Sequence, residues 1–262
     1  MEAYTRDGIA DRLGTRTVGR HVRWHDVLPS TNELAMRLAE IHVPEGTVVV
    51  AEEQTAGRGR RGRTWVSPRG GIWLSVILRP RLPLAQLPLV GLAVAVAAAR
   101  AIRVTTRLAA RVKWPNDVLV DGAKVAGVLT EAGPDGEWIV VGVGINANVE
   151  PSELPQDLPQ PALSLAGRLG APVDRGELTR LLLREIDHAY GQLQEAAGAA
   201  HVVRSWREMA DTLGRPVRVE GQGRALDGIA VDVDDLGALL VRTADGAVER
   251  VVAGEVTLRG LE

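Results

Sequence analysis

The chain has 262 residues, 45% of them hydrophobic, with a formal net charge of -2 and a sequence pI near 6.3. That length holds one large or two modest domains with buried cores, and the mildly acidic balance argues against a molecule-wide nucleic-acid surface. Cysteine is absent, which excludes disulfides and thiolate catalysis and fits a reducing cytoplasm.

Residues 1–20 read as an irregular or weakly helical lead-in, without the basic start and apolar core of a secretory signal. Residues 21–28 alternate as a strand. Ser30-Thr31-Asn32-Glu33 then supplies a helix N-cap with glutamate three residues on, a capping box that predicts a helix through residue 40. Residues 46–51 are β-branched and apolar, a buried strand, and residues 71–78 beyond a Gly/Arg loop are another. The most apolar stretch, 87–102, is too short and alanine-rich to span a bilayer and predicts a buried core helix, with no membrane association.

Residues 111–114, a proline turn and residues 118–120 follow. Asp121-Gly122 is a two-residue hairpin signal leading into 124–131. A strand over 138–143 comes next; Pro151, Pro155, Pro159 and Pro161 mark 150–162 as loop, and helices are predicted around 176–196 and 201–211. From about Gly214, short strands between Gly and Asp turns fit a small β-barrel. Hairpins mixed with helices, rather than strict βαβ alternation, argue an α+β main domain. The five histidines are scattered without HxxxH spacing, so no dedicated zinc site is expected.

The segment 51–65, AEEQTAGRGRRGRTW, concentrates the chemistry. Between Gly57 and Arg63 it holds three glycines (57, 59, 62) and four arginines (58, 60, 61, 63). Glycine lets backbone approach a ligand, and guanidinium forks suit phosphate and carboxylate. Four adjacent like charges predict a loop that is mobile when empty and ordered by an anion. The formal GxGxxG match lacks the following helix and the acidic residue about twenty positions on, so a dinucleotide fold is not expected. A solvated basic loop, an RNA-binding patch and a cover for an acyl-phosphate remain as readings.

The segment 112–131, VKWPNDVLVDGAKVAGVLTE, places Asn116 and Asp117 beside a proline turn, which they would cap on a purely structural reading. Strand alternation puts Lys124 on one face with Ala126, Val128 and Thr130, and the short Ala126 and Gly127 leave room for a ligand.

Taken together these motifs resemble the biotin protein ligase family. They are Ser30-Thr31-Asn32, Gln54 with the Gly57–Arg63 loop and Trp65, Lys113-Trp114-Pro115-Asn116-Asp117, Lys124-Val125-Ala126-Gly127 and Gly142-Val143-Gly144-Ile145-Asn146, in family order. The resemblance implies a class II aminoacyl-tRNA synthetase-like mixed-sheet catalytic domain, residues 1–212, and an SH3-like C-terminal domain, residues 213–262. It implies that biotin and ATP form biotinyl-5′-adenylate, and that biotin passes to one lysine of the biotin carboxyl carrier domain of acetyl-CoA carboxylase or a related carboxylase. Transferred by position, Ser30, Thr31, Gln54, Gly57, Gly127 and Gly142 line biotin. Arg58 and Arg60 cover its carboxylate and the α-phosphate, and Lys124 touches both as the central catalytic lysine. Arg61, Arg63, Trp65, Asn116, Asp117 and Asn146 complete the adenylate site, with Asp117 near Mg²⁺.

About twenty residues precede the first core strand, which predicts a ligase without DNA-binding repressor function. Monomer and homodimer both remain open. The rival readings are a lipoate-protein ligase-like enzyme and a non-catalytic nucleotide- or RNA-binding module.

Overall fold

The structure, a computed structural model, describes residues 4–11, 13–155, 160–221 and 224–258. Parts of the expected lead-in (1–3 and 12) and of the proline loop (156–159, with Pro159) lie outside the described residues.

The chain runs through α1 (Arg6–Ala10), β1 (Val22–Leu28), α2 (Thr31–Glu40), β2 (Val48–Gln54), β3 (Ile72–Leu78), α3 (Pro88–Thr106), β4 (Arg111–Lys113), β5 (Asp117–Val120), β6 (Ala123–Ala132) and β7 (Ile139–Ile145). Helices α4 (Leu165–Leu169), α5 (Arg175–Leu193) and α6 (Gly198–Met209) follow. The seven strands form one mixed sheet in the order β1-β2-β3-β7-β6-β5-β4, parallel only between β1 and β2.

The sheet has two unlike faces. Toward α3, which packs against α5 and α6, it presents Val48, Val50, Leu74, Val76, Val128, Val141 and Val143, all buried in the main core. The apolar stretch expected to be a core helix is one: the span Leu84–Thr106 is long and apolar enough to cross a membrane, yet 72% of its most apolar window is buried inside the protein. Toward α2 the sheet is apolar at one end, where Ala35 and Leu38 meet Val49, Ile77 and Val140. At the other end the large side chains stop. Register aligns Ser75, Gly142 and Leu129 in one row and Trp73, Gly144 and Gly127 in the next. The alternation Gly142-Val143-Gly144 therefore fills the core face with valine and hollows the opposite face with glycine.

Two local features shape the hollow. Ser30 caps α2, its Oγ accepting from the backbone N–H of Glu33 at 3.4 Å, as the capping box predicts. The Asp121-Gly122 turn joins β5 to β6 with φ of 49° and 78°, the paired positive values of a type I′ hairpin.

Simple alternation misplaces Lys124. The register shifts between Val118, opposite Ala126, and Leu119, opposite Lys124, so Val125 is an extra residue in β6. That bulge turns Lys124 away from the face of Ala126 and Val128. A Cβ on Gly127 would lie 3.4 Å from Lys124 Cε, so the lysine shares the hollow with Gly127.

Beyond α6, β8 (Pro216–Gly221), β9 (Arg224–Val233), β10 (Leu239–Arg242), β11 (Val248–Val251) and β12 (Glu255–Leu258) make a five-stranded antiparallel sheet in the order β11-β10-β9-β8-β12. Its buried Val217, Val219, Val233, Leu239, Val241 and Val256 are continuous with the main core. Trp114 ties it to the main sheet: its backbone N–H donates to Thr212 Oγ1 at 2.8 Å and its indole to the Gly237 carbonyl at 2.9 Å.

Candidate active site

A cavity opens over the glycine hollow, bounded by the start of α2, the 57–65 loop, the 113–117 turn, β6, β7 and the start of β12. It gathers nearly every residue singled out from sequence: Ser30, Thr31, Gln54, Arg58, Arg60, Arg61, Arg63, Trp65, Asn116, Asp117, Lys124, Gly127, Gly142 and Asn146 all line it. Gly57 stands just behind, for a backbone reason. A Cβ there would meet the Trp65 carbonyl at 2.3 Å, and Trp65 N–H donates to the Gly57 carbonyl at 2.9 Å. The loop is thus a pinched hairpin, closed again by Gly59 N–H on Arg63 O at 2.7 Å and turning at Arg61 and Gly62, whose φ values are 56° and 72°.

At the inner end is a neutral polar cradle. Gln54 Oε1 accepts from the backbone N–H of Thr31 at 2.8 Å and from its hydroxyl at 3.0 Å, and Gln54 Nε2 donates to Ser67 Oγ at 2.8 Å. Gly142 faces Asn32: a Cβ would stand 2.1 Å from Asn32 Oδ1. Close approach at this glycine is therefore made by a protein amide. The Trp65 ring lies on Gly127 and Gly144, whose added Cβ atoms would meet it at 3.0 and 2.6 Å, and its buried indole N–H has no hydrogen-bond partner.

The cations converge from both sides. Lys124 Nζ pairs with Asp117 Oδ1 at 2.6 Å and sits 5.0 Å from the Trp65 ring centroid. Lys113 points into the same space, its Nζ donating to Gln160 Oε1 at 2.8 Å and standing 3.8 Å from Asp117 Oδ2. Burial holds the Lys113 ammonium below its ordinary pKa, with Asp117 pulling the other way. Burial also lowers Arg60, and neighbouring Arg61 adds to it.

Clustered arginines need an anion or solvent to offset them, and each here has an acceptor on the protein, two of them carboxylates. Arg58 Nη2 meets Glu131 Oε1 at 3.0 Å; Arg60 Nη1 donates to the Gly254 carbonyl at 3.1 Å and to Asn116 Oδ1 at 3.4 Å. Arg61 Nη2 donates to the Glu220 carbonyl at 2.9 Å, and Arg63 forks onto both oxygens of Glu255. Three of the four arginines reach the C-terminal sheet or its β11–β12 turn, more than 150 residues away in sequence, so no local pattern announces these contacts.

Asn116 and Asn146 also serve the fold. Asn116 exchanges backbone and side-chain hydrogen bonds with Val128, and Asn146 Nδ2 donates to the Leu163 carbonyl at 3.3 Å. Sequence reading passed over Asn32, Ser75, Lys113, Glu131 and Glu255. Asn32 and Lys113 stood inside quoted motifs, and a lone serine in the apolar run of β3 was the signal for Ser75.

The acid set does not fit a protein-held divalent cation. Among the described residues no group of three or more His, Cys, Asp or Glu could hold one, Asp117 is committed to two lysines and Glu255 to Arg63. What the cavity can do is bring two anions together: a neutral polar end, a cation cluster and an aromatic lid suit joining a carboxylate to a phosphate.

Comparison with known proteins agrees with that class of enzyme. Residues 24–147 match the Biotin/lipoate A/B protein ligase family and residues 212–259 the Biotin protein ligase C terminal domain. The bifunctional ligase/repressor BirA of Bacillus subtilis is 36% identical over 250 residues, which cover 94% of this chain and 76% of that protein. The biotin--[acetyl-CoA-carboxylase] ligase of Paracoccus denitrificans is 37% identical across 88% of this chain and 98% of its own length. Biotin protein ligase from Aquifex aeolicus, solved in complex with biotin and ATP, superposes with a TM-score of 0.80 at 31% identity, covering 92% of this chain and 99% of that one. The chain belongs to the biotin protein ligase family and is an enzyme.

Proposed function

We propose that the protein condenses biotin with ATP to biotinyl-5′-adenylate and diphosphate, then transfers biotin to a lysine on a biotin carboxyl carrier domain in the cytoplasm. The observation that carries this reading is the convergence of Lys124, Arg58 and Arg60 on a cavity whose inner end is the Thr31–Gln54 cradle. A ureido ring is neutral and rich in donors and acceptors, and Ser30, Thr31 and Gln54 suit it.

In the first step a carboxylate oxygen attacks the α-phosphorus and diphosphate leaves. Two anions approach and charge builds on the phosphoryl oxygens, so preorganised cations lower the barrier. Lys124 and Arg60 are assigned to the phosphoryl oxygens and Arg58 to the carboxylate. Asp117 keeps the Lys124 ammonium in place through their 2.6 Å contact. Trp65 and Asn146 are assigned to adenine, and Arg61 and Arg63 hold the loop over the mixed anhydride, excluding water. In the second step the carrier lysine attacks the acyl carbon and AMP leaves.

The test is ATP–diphosphate exchange. It is expected with biotin and not with lipoate; exchange that needs lipoate, or none with either acid, would contradict the assignment.

A further inference from the structure

We infer that Glu131 is a positioning residue for Arg58, fixed in turn by Ser75 and Asn32, so that a hydrogen-bonded relay runs from the buried Ser75 hydroxyl to the half-exposed cation at the carboxylate end. The inference rests on the adenylating role assigned to Arg58.

Strand β3 is buried along its whole length, and six of its seven residues are apolar. Ser75 is the exception, with no exposed surface. Alanine would fill the same place without burying a hydroxyl, so the hydroxyl needs another reason. Its Oγ lies 2.8 Å from Thr31 Oγ1, on the cradle side, and donates to Asn32 Oδ1 at 2.6 Å. With its oxygen taken by a donor, the Asn32 amide has one sensible orientation: Nδ2 faces Glu131 Oε2 at 2.9 Å. That leaves Glu131 Oε1 to receive Arg58 Nη2 at 3.0 Å. Each link sets the direction of the next, from Ser75 through Asn32 and Glu131 to Arg58.

The relay also explains Gly142, which leaves room for the Asn32 amide that any side chain would strike. Arg58 is about half exposed and would otherwise sample many rotamers. A carboxylate on one edge of its guanidinium restricts it, while its other N–H donors stay available to a second anion. Glutamine cannot replace glutamate here, because one of its two ends is an amide N–H₂ that would face either the Asn32 or the Arg58 donor.

The experiment is a double-mutant cycle on the full chain with biotin-dependent ATP–diphosphate exchange as readout. In E131Q the KM for biotin rises about tenfold, with the KM for ATP unchanged. The pair R58A/E131Q is no worse than R58A alone, and S75A raises the biotin KM in the same direction. Trypsin cuts after Arg58 faster in E131Q than in wild type, a readout independent of catalysis. Multiplying effects of R58A and E131Q, equal changes in both KM values, or unchanged cleavage at Arg58 would overturn the inference. Wild-type exchange with biotin tests the ligase reading separately, so the two failures are distinguishable.

Discussion

Lys113 is held in the cavity against its own solvation: its side chain is only 7% exposed, and burial lowers its pKa below the ordinary 10.5. The sign of the consequence follows from linkage. Below the lowered folded value both states carry the proton, and the cost of burying the charge is fully present. Between that value and 10.5 the unfolded chain binds more protons than the native one, so stability rises with pH. Lys113→Met is therefore expected to raise the melting temperature at neutral pH, with the advantage shrinking as pH climbs toward 10.5. Asp117 keeps Lys124 as its partner in that variant. A lower melting temperature at neutral pH would contradict this. The side chains legible in sequence were those embedded in local motifs, Thr31, Gln54, Asp117 and Lys124 among them. Glu131 and Glu255 were not, because each acts on an arginine brought beside it only by folding.

At the scale of elements, strands and helices followed from β-branched runs, the Ser30 cap and the Asp-Gly turn, each a local preference. The bulge at Val125 did not, since it depends on how β6 pairs with β5, and it reverses the face on which Lys124 stands. The glycine hollow was half legible: Gly142-x-Gly144 has strand period, but only the register shows Ser75 and Gly127 completing the same surface. The hairpin that delivers Lys124 gives a clean test. Gly122 has a φ of 78°, and a Cβ added there would meet nothing within 4 Å, so its substitution probes backbone conformation alone. Gly122→Ala is expected to lower unfolding free energy by about 1 kcal/mol in urea, and a neutral result would mean that the turn does not need a left-handed residue.

Across the whole molecule, the C-terminal sheet and the arginine loop are parts of one site. Arg60, Arg61 and Arg63 reach Gly254, Glu220 and Glu255, so the small domain fixes the loop that the main domain supplies. Glu255→Ala is expected to leave the fold intact and raise the KM for ATP about tenfold, read by steady-state exchange; an unchanged value would detach the domain from the loop's function. The most direct test of the central claim is intact-mass analysis of a biotin carboxyl carrier domain after incubation with this protein, ATP, Mg²⁺ and biotin, beside Lys124→Ala. Wild type should add one biotin to the carrier, and the variant should be slower by about 10²–10³-fold. Carrier biotinylation by Lys124→Ala at the wild-type rate would contradict the assignment of Lys124 as the group that joins carboxylate to phosphate.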